Sequence, residues 1–244
     1  MRDESHSSSQ LPIGPEIESV PATPPGRTIL RGQFVTLVPL DPAAHGESLY
    51  NESSGRDRED LWLYLFEGPY ADRASFDNDL VRKAESSDPM FFAILDNKSG
   101  LASGHAAYMR IEPKHRVIEV GSILYTPKLQ RTPGATEAMY LMAKHAFEDL
   151  GYRRYEWKCN ALNAPSRSAA LRLGFAFEGI FRQHMMIKGR NRDTAWFSML
   201  DTEWPERKLA FEGWLAPSNF DLEGKQKRSL SSFRPNPRLR ATLA

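Results

Sequence analysis

Cysteine is nearly missing from this chain of 244 residues, where Cys159 stands alone. A single thiol excludes an internal disulfide and a cysteine-built metal cage, and it fits a reducing compartment. Long apolar runs are missing too, none reaching the roughly 18 residues of a membrane-crossing helix. Charge of one sign is not in excess: 32 basic and 31 acidic side chains leave a net charge of +1. No overall field therefore points to nucleic acid or an anionic membrane. The opening MRDESHSSSQ is polar and lacks the apolar segment of a secretory leader. Cytoplasm is the compartment expected on these grounds. What remains is 41% hydrophobic and 26% charged, the composition of a globular protein long enough to bury a core without metal or disulfide help.

Both ends differ from the middle. Residues 1–30 carry Pro12, Pro15, Pro21, Pro24 and Pro25 with no sustained period, which predicts a flexible lead-in. A domain is expected over 31–215. Residues 216–244 are read as a basic tail. From Lys225 onward there are Lys225, Lys227, Arg228, Arg234, Arg238 and Arg240 and no acid. Such a tail is either simply solvated or meets an acidic partner or RNA.

Between the ends, Phe34 to Val38 is a strand candidate, followed by helices near 43–52 and 75–86. Met90 to Leu95 is an apolar strand turned back at Asp96–Gly100, and 103–111 pairs with 117–125 as antiparallel strands. A helix is marked by Ala135, Ala138, Met139, Met142, Ala146, Phe147 and Leu150 at helical spacing. Glu137, Lys144 and Glu148 fall outside that stripe, and His145 is expected at the surface. In 153–159, Tyr155, Trp157 and Cys159 alternate with Arg154, Glu156 and Lys158, predicting a strand with one apolar and one charged face. A short helix over 165–173, strands over 177–187 and 195–201, and a helix over 205–214 complete an α+β domain, a mixed sheet with helices packed on it.

The segment Gln130-Arg131-Thr132-Pro133-Gly134-Ala135-Thr136 ends a strand and opens the marked helix. Helix amino ends leave N–H groups unpaired and carry partial positive charge, so a loop of small residues there can converge on a phosphate. An ordinary strand-to-helix turn has the same composition. The neighbouring motifs add information. Gln130-x-x-Pro133-x-Ala135 is followed by Thr136-Glu137-Ala138. Asn163-Ala164-Pro165-Ser166 precedes a short helix ending in Leu173-Gly174-Phe175, and Glu178-Gly179 follows. In this order and at these separations the motifs resemble the GNAT superfamily of N-acetyltransferases, in particular the ribosomal-protein-alanine acetyltransferase branch, over roughly 31–204. Pro133 stands where the family has its central glycine and brings no N–H. Two loop registers are open, one starting at Gln130 and one at Arg131.

The resemblance implies a GNAT-like fold with a mostly antiparallel central sheet flanked by helices, acetyl-CoA as cosubstrate, and direct acetyl transfer to an amine. It implies no metal and no membrane partner. The acceptor is a protein N-terminus or a small amine. Nucleic acid is not expected, and the oligomeric state is left open. For the cofactor it implies Leu124, Tyr125, Gln130, Arg131, Thr132, Gly134, Ala135, Thr136 and Asn163. Amine acetylation needs removal of a proton, donors for the thioester oxyanion and a proton for the departing thiolate. Glu119 is the candidate base, or else a salt-bridged strand residue; Ser166 is the candidate acid, or else a helix cap. Cys159 reads as packing, and His105, His115, His145 and His184 have no ligand spacing. The run Lys188 to Asp193 reads as a hydrated hairpin tip with Asp193 pairing an arginine. Trp62, Tyr64, Phe66 and Tyr70 lie among carboxylates and suit either a wall for a cationic amine or a core edge. A silent acyl-CoA-binding module, and an RNA-associated protein working through the tail, are the competing readings.

Overall fold

The strand candidates line up as one eight-stranded sheet in the computed structural model, which describes residues 14–234. In chain order the elements are β1 (Leu30–Arg31), β2 (Val35–Pro39), α1 (Pro42–Ser53), a 3-10 segment (Arg56–Trp62) and α2 (Arg73–Glu85). Then come β3 (Met90–Asp96), β4 (Ala102–Glu112), β5 (Val117–Tyr125), α3 (Pro133–Lys144), β6 (Arg154–Asn160) and α4 (Ala164–Leu173). β7 (Ala176–Ile187), β8 (Arg190–Leu200) and α5 (Trp204–Leu215) close the series. The order across the sheet is β1-β2-β3-β4-β5-β6-β8-β7. Every pairing is antiparallel except β5 with β6, which α3 connects as a crossover. The sheet is therefore mixed and mostly antiparallel, as expected.

Helices cover both faces. On one, α3 and α5 pack Ala138, Met142, Trp204 and Phe211 against Tyr108, Ile118, Val120 and Tyr155. On the other, α1, α2 and the 3-10 segment pack Leu49, Phe76, Leu80 and Trp62 against Phe91, Ala93, Ala107 and Leu124. Asp41 caps α1 through its carboxylate to Ala43 N, and Asp72 caps α2 at Ser75 N, so each helix starts where a side chain meets its orphan amides. Trp62 is a core residue. Its indole donates to Ser53 O at 2.7 Å, and Gly68, at φ +65°, is the only residue type that fits against its ring.

Three expectations need correction. Glu137 does not face water: its carboxylate accepts the amides of Gln33 (2.7 Å), Phe34 (2.6 Å) and Val35 (2.9 Å), pinning the start of β2 to α3. His145 is buried in a π-helical turn (His145–Asp149) that ends α3, with Nδ1 2.7 Å from Asp149 Oδ2. And β8 begins at Arg190 rather than 195, leaving only Lys188 and Gly189 as the tip of the β7–β8 hairpin.

The ends also pack. Ala22 is buried, and the amides of Ala22 and Thr23 bond Pro113 O and Leu150 O. After α5 the chain turns back through a 3-10 turn (Pro217–Asn219), a bridge between Phe220 and Gln226, and a second 3-10 turn (Leu230–Phe233). Leu230 is buried, Trp214 Nε1 donates to Gln226 Oε1 at 2.7 Å, and Arg234 donates to the carbonyls of Leu171 and Arg172. The stretch read as a solvated tail is thus folded at least to Arg234. Arg238 and Arg240, like Pro12, lie outside the described residues.

Candidate active site

The parallel pair β5–β6 holds only from Val117–Val120 to Arg154–Trp157. Beyond it β5 bulges: two pairings of β4, His105 with Leu124 and Ala107 with Gly121, skip Ser122 and Ile123, and Ser122 sits at φ +46°. The two strands then part, which leaves backbone edges of β5 unpaired on the side facing β6. A cavity of about 1000 Å³ opens in the gap. Glu119, Tyr125, Gln130, Arg131, Thr132, Ala135, Thr136, Asn163 and Ser166 all line it. Nine of the eleven residues expected at the site are therefore brought together by the fold.

Leu124 and Gly134 are not on the wall. The Leu124 side chain points away, into the core beneath α1 and α2. Gly134 is buried because the first turn of α3 lies on β2. A Cβ there would stand 2.7 Å from Val35 Cγ1, so close packing requires the glycine. At the loop, Thr132 caps α3, with Ala135 N 3.3 Å from its Oγ1. The amides of Arg131, at φ +61°, and of Gly134 have no hydrogen-bond partner among the described residues. Of these, Arg131 lies on the cavity wall and its N–H remains for an anion, Gly134 is off the wall, and Pro133 between them supplies none. Gln130 is not free for a phosphate, since its Nε2 donates to Tyr125 O at 2.9 Å. A cation not foreseen from the sequence takes a place here instead. Arg172 of α4 reaches Thr136 Oγ1 at 2.7 Å, lies 5.8 Å from the Trp214 ring and lines the cavity. Phe220, Lys225 and Gln226 of the returning C-terminal segment line the same cavity.

The charged face of β6 is buried rather than solvated. Lys158 Nζ lies 2.9 Å from Glu119 Oε2 and 2.6 Å from Glu156 Oε2, with its side chain 4% exposed. Arg110 Nη1 takes the same Glu119 oxygen at 2.7 Å. Arg154 bridges Glu156 to Glu178, and Ser198 donates to Glu178 at 2.6 Å. The hydrogen bonds from Arg154, with that from Ser198, hold Glu178 below the usual carboxylate range. Glu119 is therefore ion-paired through Oε2, while Oε1 has no hydrogen-bond partner among the described residues.

At the head of α4 the roles of two residues are exchanged. Asn163, expected on the cofactor arm, is the helix cap: its Oδ1 accepts Ser166 N at 3.0 Å. Ser166, for which capping was the alternative reading, instead accepts Trp157 Nε1 at 3.0 Å, while its hydroxyl also hydrogen-bonds the Cys159 thiol. The Asn163 amide group still faces the cavity. Burial pushes the Cys159 thiol up, outweighing the Ser166 hydrogen bond and the nearby Arg192 and Arg167. Native protein at neutral pH is accordingly expected to resist iodoacetamide at Cys159, whereas urea-unfolded protein reacts. Equal alkylation rates by mass spectrometry would contradict that.

The opposite wall comes from residues 60–66, including Leu61, Leu63 and Leu65. Tyr64 Oη donates to Leu162 O at 3.3 Å, and Lys188 at the hairpin tip donates to Trp62 O (2.7 Å) and Glu67 O (2.8 Å). The tip is thus latched to the wall, and Asp193 accepts Gln183 N and Asn191 Nδ2, not an arginine. Tyr70 donates to Asp79 and belongs to the core edge. Among the described residues no three His, Cys, Asp or Glu side chains cluster as metal ligands, and no helix is long and apolar enough to cross a membrane.

A family model described as the acetyltransferase (GNAT) domain matches residues 35–176. Among solved structures, the chain is similar to a GCN5-related N-acetyltransferase from Brucella melitensis, with 52% identity and a TM-score of 0.86 over 88% of this chain and 97% of that one. A GNAT-family protein from Chromobacterium violaceum ATCC 12472 shares 40% identity at a TM-score of 0.73, covering 80% of this chain and all 100% of its own. The microcin C7 self-immunity acetyltransferase MccE, solved with acetyl-CoA and AMP, is alike in fold alone. It shares 17% identity at a TM-score of 0.59, with 69% and 93% of the two chains covered. No curated protein matches the chain.

Proposed function

The chain belongs to the GNAT acetyltransferase family, and from that premise we propose that it transfers the acetyl group of acetyl-CoA directly to a primary amine. One observation carries the reading. A single cavity runs from the open Arg131 amide at the head of α3 to the free oxygen of Glu119 and the hydroxyl of Ser166. Those are the three needs of the reaction, a phosphate cradle, a proton acceptor and a proton donor, on one continuous wall.

The roles follow from what each group has left to offer. Arg131 N and the positive end of α3 bind the pyrophosphate, with Arg172 adding charge from the far side. The pantetheine amides pair with the exposed backbone edge of β5 beyond Val120, and the Asn163 side chain completes that contact. The same edge donates to the thioester oxygen as negative charge builds on it. Glu119 Oε1 receives the amine proton, directly or through a water. As the new N–C bond forms and the C–S bond breaks, Ser166 passes a proton to the sulfur. Closure of the cavity by the 60–66 wall and the latched hairpin tip limits competing hydrolysis.

Acetyl-CoA at about 100 times its Kd is expected to stabilise the protein by roughly 2.7 kcal/mol, raising Tm by about 5–10 °C for a chain of this size. Adenosine alone is expected to shift it far less. No shift at millimolar acetyl-CoA would remove the cofactor. A shift without turnover on any amine would favour an acyl-CoA-binding module, a reading to which the double ion pair at Glu119 Oε2 lends its support.

A further inference from the structure

Among the described residues, Arg192 is the one cation on the acceptor side of the cavity that forms no ion pair with a carboxylate. The face of the sheet around Glu119 carries four cations, Arg110, Lys158, Arg154 and Arg192, against three carboxylates, Glu119, Glu156 and Glu178. The first three cations are each in salt bridges. Arg192 has no ion pair among the described residues, although it is only 7% exposed. Its single hydrogen bond is a long one, from Nε to Thr194 Oγ1 at 3.3 Å, and that oxygen is shared with His184 Nδ1 at 2.9 Å. The guanidinium is stacked 5.2 Å from the Phe66 ring, which holds the plane of the fork in place. Its two terminal nitrogens have no hydrogen-bond partner among the described residues, and the residue lines the cavity.

A buried charge without a partner is costly, and it is retained where a ligand supplies the opposite charge. The phosphates of the cofactor are accounted for at the other end, by the head of α3 and Arg172. Arg192 instead shares the cavity wall with Glu119 and Cys159, both close enough to act on its charge. Its stacking partner Phe66 comes from the wall that the acceptor must pass. A planar fork with two free N–H edges matches a carboxylate in bidentate fashion.

Resting on the acetyltransferase reading above, we propose that the acceptor is an amine that also carries a carboxylate, as a free amino acid does. Its carboxylate sits on Arg192 and its amine on Glu119 Oε1. Arg192 is then the specificity-determining residue, Phe66 its positioning residue, and the apolar side chains of Leu61, Leu63 and Leu65 face the remainder of the acceptor. A plain alkylamine or the N-terminus of a neutral peptide leaves the guanidinium unpaired.

The test compares matched acceptors at saturating acetyl-CoA: leucine, leucinamide and isoamylamine, phenylalanine, phenylalaninamide and phenethylamine, and β-alanine against propylamine. In the wild type, kcat/KM is expected to favour the carboxylate-bearing member of at least one set by on the order of 10²-fold, the loss seen when one partner of a buried charge pair is removed. In Arg192→Met that ratio is expected to fall towards one, and Arg192→Lys, which keeps the charge without the fork, to restore part of it, mainly through KM. Acetyl-CoA binding by calorimetry accompanies each variant. Equal use of acid, amide and amine by the wild type would overturn the proposal, as would acetylation of none of them by protein that binds acetyl-CoA. Loss of kcat on every acceptor alike in a folded Arg192→Lys would assign the residue to the thioester oxyanion instead. Failure of wild-type protein to bind acetyl-CoA would sink the acetyltransferase reading and this inference with it, and so tells the two apart.

Discussion

Glu119→Gln is expected to lower kcat for amine acetylation by about 10²–10⁴-fold, the range of a positioned general base, while acetyl-CoA still binds. Only two carboxylates line the cavity among the described residues, Glu119 and Asp60. Asp60 is exposed at the rim, so Asp60→Asn is expected to cost little. Glu119 has a second task, since Arg110 and Lys158 both end on its Oε2. A loss of activity could therefore arise from a collapsed charge network, and the measurement must separate the two. An acceptor such as hydroxylamine, whose amine is largely unprotonated at neutral pH, needs no base to free its lone pair. It is expected to recover much of the lost rate in Glu119→Gln, and higher pH should do the same for ordinary amines. A rate unchanged from wild type, or an equal deficit on both kinds of acceptor with an unchanged pH profile, would leave Glu119 only as the anchor of Lys158.

The largest expected loss of stability belongs to Glu137→Ala, about 3–5 kcal/mol, the cost of breaking a buried charged network from one side. Three buried or half-buried amides, those of Gln33, Phe34 and Val35, converge on this carboxylate, and the alanine leaves all three unsatisfied. The turn has grown around the acid: a Cβ on Gly32 would lie 2.5 Å from Glu137 Oε2. Glu137→Gln is expected to lose less, since its remaining oxygen can still accept Phe34 N and Val35 N while its NH2 group faces the Gln33 amide. Urea unfolding would show a lower midpoint at unchanged slope. A shift under about 1 kcal/mol would mean that water replaces the carboxylate, in the manner of an ordinary surface hydrogen bond. The variant also bears on function. The residue lies one turn into α3, whose amino end is the proposed phosphate cradle, so acetyl-CoA affinity is expected to weaken alongside stability.

These two residues show how far the chain could be read in advance. Glu119 and the 130–136 loop were found from motif order, and the fold placed them on one cavity. Helical periodicity places Glu137 outside the apolar stripe of α3, yet the residue is buried. Its partners lie 102 to 104 residues away, which no local window contains. The burial of the charged stripe of β6 has the same cause. Arg154, Glu156 and Lys158 alternate along the strand, yet β5 and β8 flank it, and Glu119 of β5 and Glu178 of β7 pair with its charges. Arg172 had no signal at all, sitting on an ordinary helix end until α4 docks on α3. Arg192 was visible only as part of a basic hairpin run, with nothing to mark it as the member without a partner.

By itself the sequence determined the alternation of strands and helices, the α+β class, the position of the loop before α3 and the order of its companion motifs. These are set by spacing along the chain, by caps such as Asp41 and Asp72, and by residues that permit or forbid a local conformation. Only the tertiary structure decided which charges are neutralised and which are left over, which wall each side chain lines, and that the segment after α5 returns to the cavity. The reason is that burial of a charge is a property of its surroundings. Identical lysines differ in meaning when one, Lys158, lies 4% exposed between two carboxylates and another, Lys128, meets Glu52 at the surface.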